Sequence, residues 1–156
     1  MTKINYYLLF VITVTFAVIT LGAYVRLSHA GLGCPDWPGC YGYLIGVPDN
    51  SIEIANAENS FQGSNVDIGK AWKEMIHRYI AGALGIFIFI LPFIFYKNNT
   101  NKLFKLSLLV SILVVMQAML GMLTVTLQLQ PLIVMMHLMG GLTIITLLWL
   151  IFLRYN

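Results

Sequence analysis

Four long apolar runs, almost free of charged residues, constrain this chain more than any other feature of its sequence. They cover residues 4–25, 79–96, 106–129 and 132–153. A helix needs about 20 apolar residues to cross the hydrocarbon core of a bilayer, and each run is close to that length. We therefore predict an all-α membrane protein. We expect a four-transmembrane-helix bundle in a single domain, residues 1–156, with helices at about 4–26, 72–96, 103–129 and 132–153.

The placement of charge predicts how these helices are oriented. Lys97, Lys102 and Lys105 surround a short connector between the second and third helices, and such connectors are cytoplasmic when rich in lysine. Both termini are then cytoplasmic, and the long segment 28–71 lies outside a bacterial-type inner (plasma) membrane. All six acidic residues fall on that outer side. Membrane lipid is the expected environment, and no feature indicates a nucleic-acid partner.

The outer segment begins with "GLGCPDWPGCYG", residues 31–42, which contains both cysteines of the chain. Five residues separate Cys34 from Cys40, so this is not the C-x-x-C of thioredoxin-like enzymes. With His29 nearby they still lack a fourth ligand for zinc. Closing a short loop and taking part in redox chemistry both remain open. Residues 50–69 are polar without a strong period, so order and disorder are both open there. No internal repeat is evident.

Two histidines lie inside predicted spans, where ionisable residues are expensive and are candidates for a functional site. His77 and His137 lie in the second and fourth helices, which run in the same direction, so we expect their imidazoles at matching depth. Small residues follow on the same faces, Ala81 after His77 and Gly140 and Gly141 after His137. This pattern predicts room for a flat ligand such as haem. The alternatives are interfacial histidines bonded to carbonyls or water, and ordinary small-residue helix packing.

Further polar groups lie near the same level. Glu74 is one turn before His77 and could act as acid, base or electrostatic stabiliser beside a bound group, or form an ion pair with Arg78. Arg26 and Arg78 could hold haem propionates, or extend to lipid headgroups. Gln117, midway along the third helix, is expected to form an interhelical hydrogen bond, with a substrate contact as the alternative.

Four stretches resemble the haem A synthase family of cytochrome oxidase assembly: "GAYVRLSHAGLGCPDWPGCYG", "KAWKEMIHRYIAGALG", "QAMLGMLTVTLQLQPLIV" and "MMHLMGG". The similarity covers nearly the whole chain and matches the N-terminal four-helix half of family members. It implies an oxidoreductase that converts the C8 methyl group of haem O to the formyl group of haem A. It also implies that Glu74 is the catalytic carboxylate, that His77 and His137 contact the haem iron, and that Cys34 and Cys40 form a disulfide.

The resemblance also implies cofactors and partners. Family members carry two four-helix halves, so a resident haem b and the substrate haem O are both expected. A homodimer or a complementary half would supply the second set of helices. Haem O synthase and cytochrome oxidase assembly factors are further implied partners. The alternatives are a b-type membrane cytochrome and a membrane thiol-disulfide oxidoreductase, the latter disfavoured because the chain has a single cysteine pair.

Overall fold

The computed structural model describes residues 1–156 and contains five helices and no named strand. The helices are α1 (Lys3–Leu27), α2 (Ser51–Ser60), α3 (Ile68–Lys97), α4 (Asn101–Thr126) and α5 (Pro131–Tyr155). All but α2 are long and apolar enough to cross a membrane. The predicted all-α membrane protein with four spanning helices is therefore confirmed.

The four long helices form a ring in which α3 and α5 are diagonal. Helix α1 packs against α3 and α5, and α4 packs against the same two helices, but α3 and α5 do not pack against each other. Neighbouring helices are antiparallel: the Tyr7 hydroxyl near the start of α1 donates to the Phe87 carbonyl late in α3, at 2.8 Å. Asn5 Nδ2 at the start of α1 donates to Asn156 Oδ1, which follows α5, at 2.6 Å. Helices α3 and α5 therefore run parallel, across the bundle axis from each other.

Only one half of the bundle has a packed core. The buried apolar cluster lies towards the chain termini and comprises Leu8, Val11, Leu84, Ile88, Leu91, Phe95, Leu103, Val110, Ile144, Leu148 and Ile151. In the other half, no residue is buried between Thr15 and Val25 of α1 or between Ser111 and Val125 of α4. The same holds between residues 75 and 84 of α3, and in α5 before Gly141. All side chains in these stretches are therefore at least partly accessible.

Two helix boundaries differ from the sequence expectation because of local chain geometry. Helix α3 begins at Ile68 rather than near residue 72, since the Asp67 side chain caps its first turn. Helix α4 ends at Thr126 rather than near residue 129. The backbone of Gln128 and Leu129 is left-handed there, with φ of 50° and 59°, which reverses the chain into α5.

The segment between α1 and α3 is folded, and it includes a helix that its polar sequence did not indicate. The Asn50 side chain caps α2 by accepting from the Glu53 N–H at 2.9 Å. A second buried cluster joins this segment to α3 and comprises Cys34, Cys40, Tyr41, Val47, Ala57, Ala71 and Met75. The Tyr41 ring meets Phe61 edge-on at 5.6 Å between centroids. Burial raises the pKa of the Tyr41 hydroxyl above its ordinary value.

Candidate functional site

His77 and His137 lie in the half of the bundle that lacks a packed core, on the diagonal helices α3 and α5. Each imidazole rests against a glycine of a neighbouring helix, His77 against Gly22 of α1 and His137 against Gly121 of α4. Both glycines are five residues before the end of their helix, so the two histidines lie at a similar level. The arrangement puts them on opposite sides of the bundle axis.

The contacts between imidazole and glycine are closer than a larger residue would allow. A Cβ atom added at Gly22 would lie 3.0 Å from His77 Cε1 and 3.4 Å from His77 Nε2. A Cβ atom added at Gly121 would lie 3.3 Å from His137 Cε1. Ordinary carbon–carbon contacts are about 3.5–4.0 Å, so an added Cβ atom would press each ring away from its present place.

Both histidines carry a buried nitrogen without a partner. Nδ1 of His77 and Nδ1 of His137 are sealed from solvent and have no hydrogen-bond partner. Nearly all buried polar groups in proteins are satisfied, and exceptions call for a structural or functional explanation. Imidazole is the usual axial ligand of haem iron, and helical bundles hold such groups between facing helices. The two histidines, their similar level and their places on diagonal helices fit a haem.

Gln117 connects α4 to the helix of the second histidine. Its Nε2 donates to the His137 carbonyl at 2.5 Å, which confirms the expected interhelical hydrogen bond. A Cβ atom added at Gly140 would collide with Gln117 Oε1, and one at Gly141 would lie 3.5 Å from Ile19. The expectation that Gly140 and Gly141 clear room for a ligand is therefore wrong, because Gln117 and Ile19 use that space.

Glu74 faces the cysteine loop above the histidines. Its side chain is 6% exposed, and Oε1 accepts from Arg78 Nη2 at 2.5 Å. The other oxygen, Oε2, accepts from the Cys34 N–H at 3.1 Å. Both carboxylate oxygens therefore have partners, and the carboxylate links α3 to the start of the loop.

Arg78 also binds this loop, through hydrogen bonds to backbone carbonyls that follow Cys34. Its Nη1 donates to three backbone carbonyls, those of Asp36 at 3.0 Å, Pro38 at 3.3 Å, and Gly39. A propionate contact by Arg78 stays a prediction, and in this structure it would compete with these carbonyls. Arg26 is exposed in the last turn of α1 and makes no ion pair, so its guanidinium is free for an anion.

The cysteines of the loop are joined to each other and are fully buried. A disulfide links Cys34 and Cys40, and each residue is 0% exposed. No group of three or more histidine, cysteine, aspartate or glutamate side chains comes together anywhere in the chain.

Comparison with known proteins places this chain in a family. Residues 5–156 match the family model COX15-CtaA, described as cytochrome oxidase assembly protein. The chain belongs to the COX15-CtaA family. It is 49% identical to a heme A synthase of Shewanella oneidensis over 90% of its length, and 32% identical to one of Oceanobacillus iheyensis over 79%. These alignments cover 42% and 35% of the two relatives, so the chain spans about two fifths of the curated relatives it matches.

Sequence reasoning identified both histidines of this COX15-CtaA chain but missed the two glycines beneath them. A weak signal was present: each glycine follows a leucine, in Leu21-Gly22 and Leu120-Gly121, and each histidine ends a Met-x-His triplet. The sequence shows no evident repeat, yet α1 with α3 and α4 with α5 form two antiparallel helix pairs, and in each pair one histidine lies against one glycine. The correspondence lies in the contacts rather than in the overall sequence.

Proposed function

We propose that this chain carries out haem A synthesis, the oxidation of the C8 methyl group of haem O to the formyl group of haem A, for cytochrome oxidase biogenesis. The observation that supports it most is the pair of histidines on diagonal helices, at a similar level and each lying against a glycine of a neighbouring helix. The family and the names of the relatives support the reaction. The chain would act as an oxidoreductase, and electrons from the methyl group require an acceptor.

In this proposal His77 and His137, which lie on the diagonal helices α3 and α5, would hold the haem iron. The Nδ1 atoms of both rings are sealed, so Nε2 would be the nitrogen that binds the iron. A bound haem supplies redox chemistry at its iron. The apolar helix faces exclude water from the macrocycle, and Arg26 at the outer end of α1 is placed to hold a propionate.

The second haem group and the second set of helices form a further part of the proposal. The relatives are more than twice as long as the region that aligns. We therefore propose that a second copy of the chain or a complementary half provides a resident haem b beside the haem O site. Haem O synthase and cytochrome oxidase assembly factors are the proposed partners that deliver haem O and receive haem A.

We propose that the cysteine loop faces the outside of a bacterial-type inner membrane and that both termini are cytoplasmic. The lysines at 97, 102 and 105, around the connector between α3 and α4, support this orientation. The termini lie together at the opposite end of the bundle, where Asn5 meets Asn156. A cysteine-reactive, membrane-impermeant label tests it: it should modify Ser64→Cys in intact spheroplasts but not Asn99→Cys.

The haem proposal is tested by purifying the full chain in detergent, recording its absorption spectrum and identifying the extracted haem by chromatography. Wild type should bind haem, and His77→Ala and His137→Ala should each lose the low-spin spectrum. His29→Ala is the matched control, because His29 is exposed in the outer loop. A wild-type chain without haem, or full retention of the spectrum in both variants, would contradict the proposal.

A b-type cytochrome without chemistry on its haem is the second candidate, and the surroundings of Glu74 favour it. Both oxygens of this carboxylate are engaged, one by Arg78 and the other by the Cys34 N–H, so its contacts hold the loop against α3. Glu74→Gln separates the two functions, since glutamine keeps an acceptor for the Cys34 N–H and removes the charge. Loss of haem A formation with haem content retained supports the enzyme. Haem A absent from cells that express wild type supports the cytochrome.

A thiol-disulfide oxidoreductase is disfavoured by the loop itself. Its disulfide is sealed between Glu74, Arg78 and α3, where a dithiol substrate cannot reach it. The chain has no second cysteine pair to pass electrons on. A quinone-reduction assay with a dithiol substrate should therefore give no turnover.

A further inference from the structure

The same contact occurs twice in the bundle, once in each of two pairs of packed helices, α1 with α3 and α4 with α5. His77 of α3 lies on Gly22 of α1, and His137 of α5 lies on Gly121 of α4. Each contact is made at Cε1, the ring atom between the two imidazole nitrogens. The opposing helix backbone thus limits how each ring can turn and how far its Nε2 reaches towards the bundle axis.

Other glycines of the spanning helices do not touch the histidines. Gly82 has open space where a side chain would begin, and Gly85 would make an ordinary 3.6 Å contact with Val114. Gly140 and Gly141 accommodate Gln117. General tolerance for small residues therefore does not account for Gly22 and Gly121, whose neighbour in both cases is an imidazole.

We infer that Gly22 and Gly121 are positioning residues that set the planes of the two haem-ligating imidazoles. This inference rests on the proposed haem site and adds residues that the ligand pair alone does not include. Neither glycine touches the haem; each acts through the histidine it supports. Groups that orient a metal ligand commonly change metal affinity by about 10- to 100-fold when altered.

The contacts at Gly22 and Gly121 differ in tightness, so the two alanine variants should differ in effect. At Gly22 the added Cβ would meet Cε1 at 3.0 Å, at the limit where the ring can still make room by moving a few tenths of an ångström. At Gly121 the distance is 3.3 Å, and a movement of a few tenths of an ångström suffices. Gly22→Ala should therefore disturb the site more than Gly121→Ala. Gly82→Ala should leave it unchanged while raising helix propensity in the same way.

The test titrates haem b into detergent-purified wild type, Gly22→Ala, Gly121→Ala and the control Gly82→Ala. We expect Gly22→Ala to weaken haem binding about 10- to 100-fold and Gly121→Ala to weaken it less. Haem that still binds to either variant should show a shifted Soret band and midpoint potential. These two readouts are taken per bound haem, so partial loss of folded protein does not move them.

The outcomes separate this inference from the proposed function. If wild type binds no haem, or His77→Ala and His137→Ala bind it normally, the proposed haem site itself fails. If wild type and Gly82→Ala bind haem, and Gly22→Ala and Gly121→Ala match them in affinity, spectrum and potential, only the inference is overturned. If Gly22→Ala does not fold, as judged by circular dichroism of the apoprotein, Gly121→Ala decides the result alone.

Discussion

Removing the Arg78 guanidinium should release the cysteine loop from α3. Arg78→Met keeps a long apolar side chain but loses every donor, which leaves three loop carbonyls unpaired and the Glu74 carboxylate without its cation. The two side chains are only 12% and 6% exposed. Removing one partner of a buried ion pair costs about 3–5 kcal/mol. At about 1.4 kcal/mol per factor of ten, the open form of the loop should rise by roughly two to four orders of magnitude.

The disulfide provides the assay for this opening. Cys34 and Cys40 are both 0% exposed, so a soluble reductant reaches the bond only when the loop leaves α3. The rate of thiol release then follows the population of the open form. Arg78→Met should accelerate reduction by at least about a hundredfold. In the double variant with Glu74→Gln the effect should be smaller, because no uncompensated carboxylate remains.

The matched control is the other ion pair of α3. Lys70 and Asp67 are 3.8 Å apart and about half exposed, and such pairs contribute about 0–1 kcal/mol. Lys70→Ala should therefore leave the reduction rate within about fivefold of wild type. If Arg78→Met behaves like Lys70→Ala, the guanidinium does not hold the loop, and the reasoning from its contacts is refuted.

Three further predictions concern other parts of the molecule. Gln117→Leu removes the hydrogen bond to the His137 carbonyl at 2.5 Å and should broaden the haem spectrum while the helical content by circular dichroism stays unchanged. Leu91→Ala empties a fully buried core position and should lower the free energy of unfolding by about 2–5 kcal/mol in denaturation experiments. Phe93→Ala, at a 70% exposed position, should lower it far less. Equal losses in the two variants would contradict the assigned core. Because burial raises the pKa of Tyr41, its phenol should ionise at a higher pH than free tyrosine in a spectrophotometric titration. The stability that the phenol contributes should be complete below the pKa of the unfolded state and be lost as the pH rises through the pKa of the folded state. Tyr41→Phe should lack this pH dependence.

The glycines show how one residue type serves different purposes in this bundle. Gly140 and Gly141 follow His137 on one helix face, and from the sequence they predict a ligand cavity. The structure uses them for the close approach of Gln117. Gly22 and Gly121, which lie on other helices, are the ones that contact the imidazoles. Spacing along one helix identifies residues that share a face, but not the residue that the face meets.

Much of the fold could be read from the sequence, because hydropathy and helix length are properties of consecutive residues. A backbone inside a bilayer has to satisfy its own hydrogen bonds, so four apolar runs of this length leave few alternatives to four helices. Both candidate histidines were found the same way, as ionisable residues within apolar runs. Helix α2 was missed since a short polar helix has no comparable signal, and its stability comes from its Asn50 cap and the buried contact of Ala57.

The geometry of the site depended on contacts between residues distant in the chain. The pairing of α3 and α5 across the bundle axis follows from which helices pack together, and no local pattern encodes that choice. Arg78 reaches the Asp36 carbonyl 42 residues away, and the Glu74 oxygen meets the Cys34 N–H across 40 residues. The sequence by itself determined four spans, two histidines within them and a cysteine pair. The tertiary structure decided that the histidines lie on diagonal helices, each against a glycine of a neighbouring helix, because packing brings together helices whose order in the chain does not specify their neighbours.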